Sequence, residues 1–275
     1  MDDEREEELS TIQAIYPELA IDPSNQYAAT LDLDVAPSTS INVHFTTIVP
    51  SAPESEHDSG IGLQEEHKLD YLPSLKLAVQ LPEGYPADSA PVVTLSTSLS
   101  WLPSDKVKEL QAEASKLWEE YGHCQTLFAY IDYLQQAAER GFDLPDPLEL
   151  PTALKPELLV FDRRRRKELF DAETFDCGIC LEPKKGSMCH RMLYCGHVFC
   201  LSCLQDFYNS AITEGDVVNI RCLDPGCGKE DEKPANERKR KRKTLHPREL
   251  FDIGMTEPTV RRFVEMKEKL SLIHI

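Results

Sequence analysis

The chain has 275 residues, long enough for about two domains, and its 41% hydrophobic content is typical of a globular protein. The N-terminus, MDDEREEELS, is acidic where a secretory leader would be basic, and no stretch reaches the roughly 18 consecutive apolar residues of a membrane span. We therefore expect a cytoplasmic protein, or one that also enters the nucleus, with no membrane partner. In that reducing setting, clustered cysteines are expected to bind metal rather than form disulfides.

The formal net charge of -18 is distributed unevenly along the chain. Residues 1–160 carry 29 acidic and 8 basic side chains, whereas the remaining residues carry 19 acidic and 22 basic ones. Contacts with phosphate require Lys and Arg, so the acidic first part is not expected to bind nucleic acid. It is expected to be a protein-binding domain, or a domain whose charge keeps it soluble.

The first 140 residues begin with the pattern of a helix followed by strands. Residues 4–16 place apolar side chains at helical spacing, with acids in the first turn, where the helix dipole favours them. A polar insertion at about 50–70 cannot bury a core and is predicted to be disordered. Alternation of apolar and polar residues predicts four strands, at 31–35, 41–45, 75–81 and 91–96.

After the last strand the hydrophobic period changes from 2 to 3.6. Two helices are predicted, one with the stripe Val107, Leu110, Ala114, Leu117 and Tyr121, and one with Leu127, Ile131 and Leu134. A helix, a four-strand meander and two helices predict an α+β sandwich with one face of the sheet covered. Cys124, which stands alone at the start of the last helix, is interpreted as a buried small hydrophobic residue.

Residues 141–172 are predicted to be a linker that ends in a charged helix. Prolines punctuate FDLPDPLELPTALKPE, so it is expected to be extended, whereas FDRRRRKELFDAE is expected to be helical. The basic run at 163–166 is interpreted as a solvated helix face, because one short run is a weak sign of nucleic-acid binding.

Six cysteines and two histidines lie within the 29 residues FDCGICLEPKKGSMCHRMLYCGHVFCLSC, at 175–203. Zinc prefers four thiolate or imidazole ligands in a tetrahedron, and a Cys-x2-Cys pair can turn two sulfurs towards one ion. Cys189 and His190 do not fit the spacing and are interpreted as loop or packing residues. The candidate ligands are Cys177, Cys180, Cys195, His197, Cys200, Cys203, Cys222 and Cys227.

Eight such ligands predict two closed sites, which leave no open position for a substrate. The two zinc ions are therefore expected to be structural, each contributing on the order of 10 kcal/mol to folding. Without zinc, residues 175–230 should be unfolded. Catalytic nucleophiles are the weaker alternative, because a reactive cysteine needs a free thiolate, and thioredoxin-like redox chemistry needs a βαβ context that this region lacks.

The first part of the chain resembles an RWD domain. The shared features are the opening helix ending in AIYPE, the YPADSAP turn and the helical pair SWLP...LWEEYG...LFAYIDYL. The resemblance implies an α/β sandwich related to the ubiquitin-conjugating fold, which serves as a protein-interaction module and has no catalytic cysteine. It would bind a substrate or a regulatory protein.

Residues 173–230 resemble a RING finger, because the ligands follow the C3HC4 order and include CGHVFCLSC. The resemblance implies a small cross-braced domain in which the two sets of ligands interleave. It also implies that a ubiquitin-conjugating enzyme docks beside the helix at 201–213, on Ile179, Leu204, Leu223 and Pro225. The implied ligand sets are Cys177, Cys180, Cys200 and Cys203 for the first zinc, and Cys195, His197, Cys222 and Cys227 for the second.

The last ligand pair, RCLDPGCG, resembles the first RING of the RING-between-RING (RBR) ubiquitin ligases. With LFDAETFDCGICLEPKKGS and LQDFYNSAITEGDV, it resembles the RWD-bearing branch of that family, which in fungi is of the translation-termination-inhibitor type. The resemblance implies an E3 ubiquitin transferase that recruits a ubiquitin-charged conjugating enzyme. Because no cysteine follows Cys227, we expect a chain without the second RING and its thioester cysteine, in which residues 248–275 form a helix leading to an in-between-RING domain.

Two other functions are carried as alternatives. The chain is either a non-catalytic adaptor that binds conjugating enzymes, or a nuclear zinc protein that acts through its basic stretch. The latter is the run RKRKRK at 238–243, within a predicted disordered loop at 231–247. Nucleic acid is not expected as a partner of the leading interpretation.

Overall fold

A computed structural model describes residues 3–46, 66–227 and 244–273. The chain divides into two compact units, Met1–Arg166 and Lys167–Ile275. The elements of the first unit are α1 (Glu4–Ile15), β1 (Ala20–Asp22), β2 (Asn25–Val35), β3 (Ile41–Thr46), β4 (Glu66–Leu69), β5 (Leu72–Gln80), β6 (Val92–Thr97), α2 (Ser104–Glu120), α3 (Leu127–Glu139), β7 (Leu148–Pro151) and the larger part of α4 (Lys155–Ala172).

The first unit has the mixed helix and sheet fold that the sequence predicts. Its main sheet is antiparallel in the order β1-β2-β5-β6, and α1, α2 and α3 pack against β2 and β6. Leu110 and Ala114, from the predicted stripe, lie in its core. Trp101 is fully buried there and donates a hydrogen bond from Nε1 to the carbonyl of Pro73, 3.1 Å away, so its polar edge is satisfied.

The predicted single meander is wrong in one respect, because β3 does not join the main sheet. It forms a second sheet in the order β4-β3-β7, where it runs antiparallel to β4 and parallel to β7. Val43 and Phe45 of β3 lie opposite Leu148 and Leu150 of β7, and all four side chains are buried. Pairing with β7 therefore buries the apolar face that the sequence pattern assigned to β3.

The first unit extends beyond residue 140, into the segment that the sequence predicts as a linker. Besides β7, the helix α4 contributes Leu158 to the core. The Asp162 carboxylate, 6% exposed, accepts hydrogen bonds from the backbone N–H groups of Asp70 and Tyr71 at 2.9 and 3.0 Å. Residues 148–166 are thus an integral part of the unit.

The basic run on α4 makes ion pairs within the first unit. Arg165 lies 2.6 Å from the carboxylate of Asp34, and Arg166 lies 2.9 Å from that of Asp162 and 3.3 Å from that of Asp70. These contacts engage the two guanidinium groups with carboxylates, as expected of a helix face in an acidic domain.

Cys124 is exposed, contrary to the expectation that it is buried. It lies in the turn between α2 and α3, where Gly122 and His123 have positive φ of 72° and 63°. The His123 ring stacks on Trp118 with centroids 3.9 Å apart, which closes the turn and leaves the next side chain outside the core.

The described residues of the second unit form short strands and the helices α5, α6 and α7, preceded by the end of α4. Its hydrophobic core continues past the second candidate metal site, because Leu245, Leu250, Ile253 and Phe263 are all buried in it. Residues 244–263 therefore pack onto this unit, whereas the sequence suggested a helix leading away. After the end of α4 its elements are β8 (Thr174–Asp176), β9 (Pro183–Lys185), β10 (Cys189–Arg191), β11 (Val198–Cys200), α5 (Leu201–Glu214), α6 (Pro247–Asp252) and α7 (Glu257–Ile273).

The predicted insertion at about 50–70 and the basic loop at 231–247 fall mostly outside the described residues. Of the helices that are described, none combines the length and the apolar composition needed to cross a bilayer.

Substitution of Asp162 tests whether the hydrogen bonds that its side chain accepts stabilise the first unit. Asp162→Ala should lower the free energy of unfolding of that unit by about 2 kcal/mol, because two backbone N–H groups lose their acceptor. Denaturant unfolding followed by tryptophan fluorescence measures this, since Trp101 and Trp118 both lie in the first unit.

Asp34→Ala is the matched control, because it breaks a mostly exposed ion pair to the same helix and should cost less than about 0.5 kcal/mol. Equal effects of the two substitutions would contradict the role assigned to Asp162.

Candidate metal centre

The first metal cluster consists of Cys177, Cys180, Cys200 and Cys203, whose sulfurs all lie within 4.8 Å of one another. Two ligands come from the turn between β8 and β9, and two from the junction of β11 and α5. The sulfurs of Cys180 and Cys200 are 3.9 Å apart. A zinc tetrahedron with bonds of about 2.3 Å has edges of about 3.8 Å, so the spacing fits zinc.

Backbone hydrogen bonds prepare this cluster for thiolate ligands. The turn is closed by a bond from the N–H of Leu181 to the carbonyl of Cys177, 2.8 Å. The N–H of Cys200 lies 3.4 Å from the Cys177 sulfur. Burial opposes ionisation of Cys177, but N–H donors from Cys200, Cys180 and Ile179 outweigh it and lower the pKa of the thiol to about 6.

The second metal cluster consists of Cys195, His197, Cys222 and Cys227, whose ligand atoms also lie within 4.8 Å of one another. His197 Nδ1 is 3.4 Å from the sulfur of Cys222, close to the edge of about 3.6 Å expected between a nitrogen and a sulfur bound to one zinc. Its other ring nitrogen, Nε2, lies 3.8 Å from a carboxylate oxygen of Asp224. At this separation the carboxylate contributes charge near the imidazole rather than a hydrogen bond.

A tight turn presents two ligands of the second cluster. The N–H of Met192 bonds to the carbonyl of His197, and the N–H of Gly196 bonds back to the carbonyl of Met192, both at 2.8 Å. Gly196 has a φ of 74°, a left-handed conformation that suits glycine. Cys195 and His197 flank this glycine, so the turn brings both side chains to the second cluster.

The donor sets fit zinc better than a hard cation, because they consist of sulfur and imidazole nitrogen without oxygen. Burial raises the pKa of the Cys203 thiol to about 12, and the neighbouring sulfurs of Cys200 and Cys180 add to the effect. Burial likewise raises the pKa of Cys222. Crowded thiols of this kind ionise when a cation neutralises them, and each cluster supplies the four ligands of a closed site.

Two residues of the sulfur-rich stretch, Cys189 and His190, lie outside both clusters, and so does Cys124. The sulfur of Cys189 is buried, 4.0 Å from the carbonyl of Lys184. His190 Nε2 lies 3.2 Å from Oε1 of Glu249. Cys124 belongs to the first unit. These positions agree with packing or loop roles for Cys189 and His190.

The four residues expected to dock a conjugating enzyme differ in their exposure to solvent. Ile179 is 42% exposed and Leu223 is half-buried, and both line a groove of about 330 Å³. Pro225 is exposed nearby in sequence. Leu204 is completely buried, so the prediction that it offers docking surface is wrong.

Phe207, which sequence reasoning missed, lines the groove in place of Leu204 and is 42% exposed. The buried stripe of α5 comprises Leu204, Tyr208, Ala211 and Ile212, at helical spacing. Phe207 lies just off this stripe, and that position is the signal that could have identified it. The groove is lined by Ile179, Phe207, Asn219, Arg221, Cys222 and Leu223, which define what we call the docking groove.

The amount of zinc bound per chain distinguishes metal ligands from cysteines that do not bind metal. Cys200→Ser should lower the zinc bound per chain from two to about one, because the first cluster loses one of its four ligands. Cys189→Ser is the matched control, since this cysteine is also buried but lies outside the clusters, and it should leave the zinc content unchanged. Mass spectrometry of the native protein measures both values, and loss of zinc from the control would contradict the assignment.

Removal of zinc should unfold the second unit and spare the first. A chelator is expected to abolish the helical circular-dichroism signal of α5, α6 and α7, because the clusters supply folding free energy. Tryptophan fluorescence should not change, since both tryptophans belong to the first unit. An unchanged circular-dichroism spectrum after complete metal removal would contradict a structural role.

Comparison with known proteins agrees with this architecture. The RWD domain family model matches residues 3–138. The chain is 33% identical over 227 residues to the E3 ubiquitin-protein ligase itt1 of Schizosaccharomyces pombe, an alignment that covers 82% of this chain and 49% of the relative.

A second group of relatives comes from animals. The chain is 27% identical to the E3 ubiquitin-protein ligase RNF14 of Danio rerio over 59% of this chain and 43% of the relative. The corresponding values for RNF14 of Homo sapiens are 27%, 59% and 44%. The chain spans about half the length of the curated relatives it matches. It carries an RWD domain and is homologous, over most of its length, to the E3 ubiquitin-protein ligases itt1 and RNF14.

Proposed function

We propose that this chain is the recruiting part of an E3 ubiquitin-protein ligase. Its second unit would be a two-zinc RING that binds a ubiquitin-charged conjugating enzyme, and its RWD domain would bind a substrate or a regulatory protein. Homology to E3 ligases supports the general function. The observation that carries the proposal is the exposed Ile179 in the docking groove.

The local structure makes Ile179 a fixed apolar contact. It lies between Cys177 and Cys180, so a metal bound by these two ligands would hold its backbone in place. Phe207 and Leu223 extend the apolar surface across the groove, and Arg221 and Asn219 add polar groups to it. An apolar centre with polar neighbours is a common composition of protein-binding surfaces.

The proposed mechanism divides the work between this chain and its partner. Bound zinc would hold the eight ligands together and has no open position at which to activate a reactant. The residues of the docking groove would bind and orient the conjugating enzyme, whose thioester carries ubiquitin. Transfer of that acyl group to a lysine amine is the reaction of the whole ligase, and no residue of this chain is assigned to the chemical step.

The RWD domain is proposed as the second binding module. It exposes apolar side chains on helices and turns, among them Ile15, Tyr121 and Phe128. Its acidic charge favours a partner with a basic surface, because complementary charges accelerate association and exclude wrong partners. Such a partner would be brought close to the charged conjugating enzyme.

Truncation of Ile179 tests the docking groove. Ile179→Ala should weaken binding of a conjugating enzyme by about tenfold, because a central apolar contact is lost at the interface. Isothermal calorimetry with a panel of conjugating enzymes measures the dissociation constant. Met188→Ala is the matched control, since Met188 is 59% exposed in the same unit but does not line the groove.

Both variants must retain two zinc ions for the comparison to count. Equal binding by Ile179→Ala and the unchanged protein would overturn the proposed docking surface. Failure of the zinc-loaded protein to bind any conjugating enzyme would overturn the proposed function as a whole.

An assay of thioester discharge distinguishes a ligase from an adaptor. A conjugating enzyme charged with ubiquitin is mixed with free lysine and the full chain, and loss of the thioester is followed on non-reducing gels. Stimulated discharge favours an active recruiting module, whereas binding without discharge favours the adaptor. The third alternative depends on the run at 238–243, which lies outside the described residues.

A further inference from the structure

Glu249 of α6 is a buried carboxylate that neither the metal ligands nor the docking groove explains. Its side chain is 1% exposed. Oε1 accepts a hydrogen bond from the N–H of Leu193 at 2.9 Å and lies 3.2 Å from His190 Nε2. Oε2 has no hydrogen-bond partner among the described residues. Burying a carboxylate costs free energy, so its presence here requires a compensating role.

The hydrogen bond from Leu193 connects Glu249 to the turn that presents two ligands of the second metal cluster. Leu193 directly follows Met192, whose backbone closes the turn carrying Cys195 and His197. Glu249 also lines a cavity of about 30 Å³ together with Cys195, Cys222 and Cys227. Glu249 thus lines the same cavity as three of the four ligands without being one of them.

The residues just before Glu249 hold the other side of the same cluster. The N–H of Leu245 bonds to the carbonyl of Ile220 at 2.9 Å, and Thr244 pairs with Arg221 in an antiparallel bridge. Arg221 directly precedes the ligand Cys222. Residues 244–249 therefore contact both the turn that carries Cys195 and His197 and the segment that leads to Cys222.

We propose that Glu249 is a positioning residue for the second metal cluster. By accepting the Leu193 N–H, it fixes the turn that aims Cys195 and His197, and it couples the packing of α6 to retention of zinc. A residue behind the ligands commonly changes metal affinity by about 10-fold to 100-fold when it is removed. The inference rests on zinc in the second cluster and is independent of conjugating-enzyme binding, so the two can fail separately.

Metal release from the full zinc-loaded chain tests the inference. Glu249→Ala should accelerate loss of one of the two zinc ions by about tenfold and leave the other unchanged. A chromophoric chelator in excess follows both phases. Glu249→Gln keeps an oxygen that can accept the Leu193 N–H, and it should release both ions at nearly the natural rate.

Two further observations separate positioning from general loosening of the core. Leu250→Ala is the control in the same helix, because Leu250 is fully buried and its side chain forms no hydrogen bond to the ligand turn. It should lower thermal stability without selective release of one ion. Cobalt in place of zinc identifies the affected site, since a three-cysteine, one-histidine set and a four-cysteine set absorb differently.

The expected result is that Glu249→Ala alters only the cobalt spectrum of the three-cysteine, one-histidine set, and that Glu249→Gln restores it. Equal acceleration of both ions would overturn the inference. So would equal behaviour of the Gln and Ala variants, or selective release by Leu250→Ala. If Glu249→Ala does not fold, Glu249→Leu replaces it, because leucine fills the space but cannot accept the Leu193 N–H. Release of both ions at the natural rate by that variant would overturn the inference.

Discussion

The convergence of eight ligand atoms into two clusters is the constraint on which the second unit depends. Among its described residues the strands are β8, β9, β10 and β11, each of three residues, and isolated two-stranded pairs of that length are at best marginally stable in water. The ligands come from positions as far apart as Cys177 and Cys227, so a metal ion bound by each set would supply long-range contacts that the strands do not. The first unit needs no such contribution, because its sheets and helices enclose a large apolar core.

Local features of this protein could be predicted from sequence because local physics determines them. Cysteine spacing is such a feature, since a Cys-x2-Cys turn brings two sulfurs together whatever lies around it. The stripe that includes Leu110 and Ala114 is another, because helical periodicity places both on one face. The structure brings the predicted ligands together in the two interleaved sets that the RING resemblance implied.

Features that depend on distant partners were not visible in the sequence. The strand β7 has only four residues, ends at Pro151 and pairs with a strand about 100 residues earlier, so its proline-rich surroundings suggested a linker. The wrong prediction that Leu204, and not Phe207, faces the docking groove has a different origin. Both are apolar residues of α5, but Phe207 lies just off the helical stripe of buried residues that includes Leu204, which is a local signal.

The bridge between Arg221 and Thr244 has a consequence for how this region can change in evolution. It joins the chain just before Cys222 to the chain at residue 244, so Cys227 and Thr244, the described residues on either side of 228–243, both belong to the surroundings of the second cluster. No cysteine or histidine lies between residues 228 and 243, so insertions, deletions and changes of charge there should leave both ligand sets complete. The six consecutive basic residues at 238–243 fall within this interval, so the sequence there can change without removing a candidate ligand.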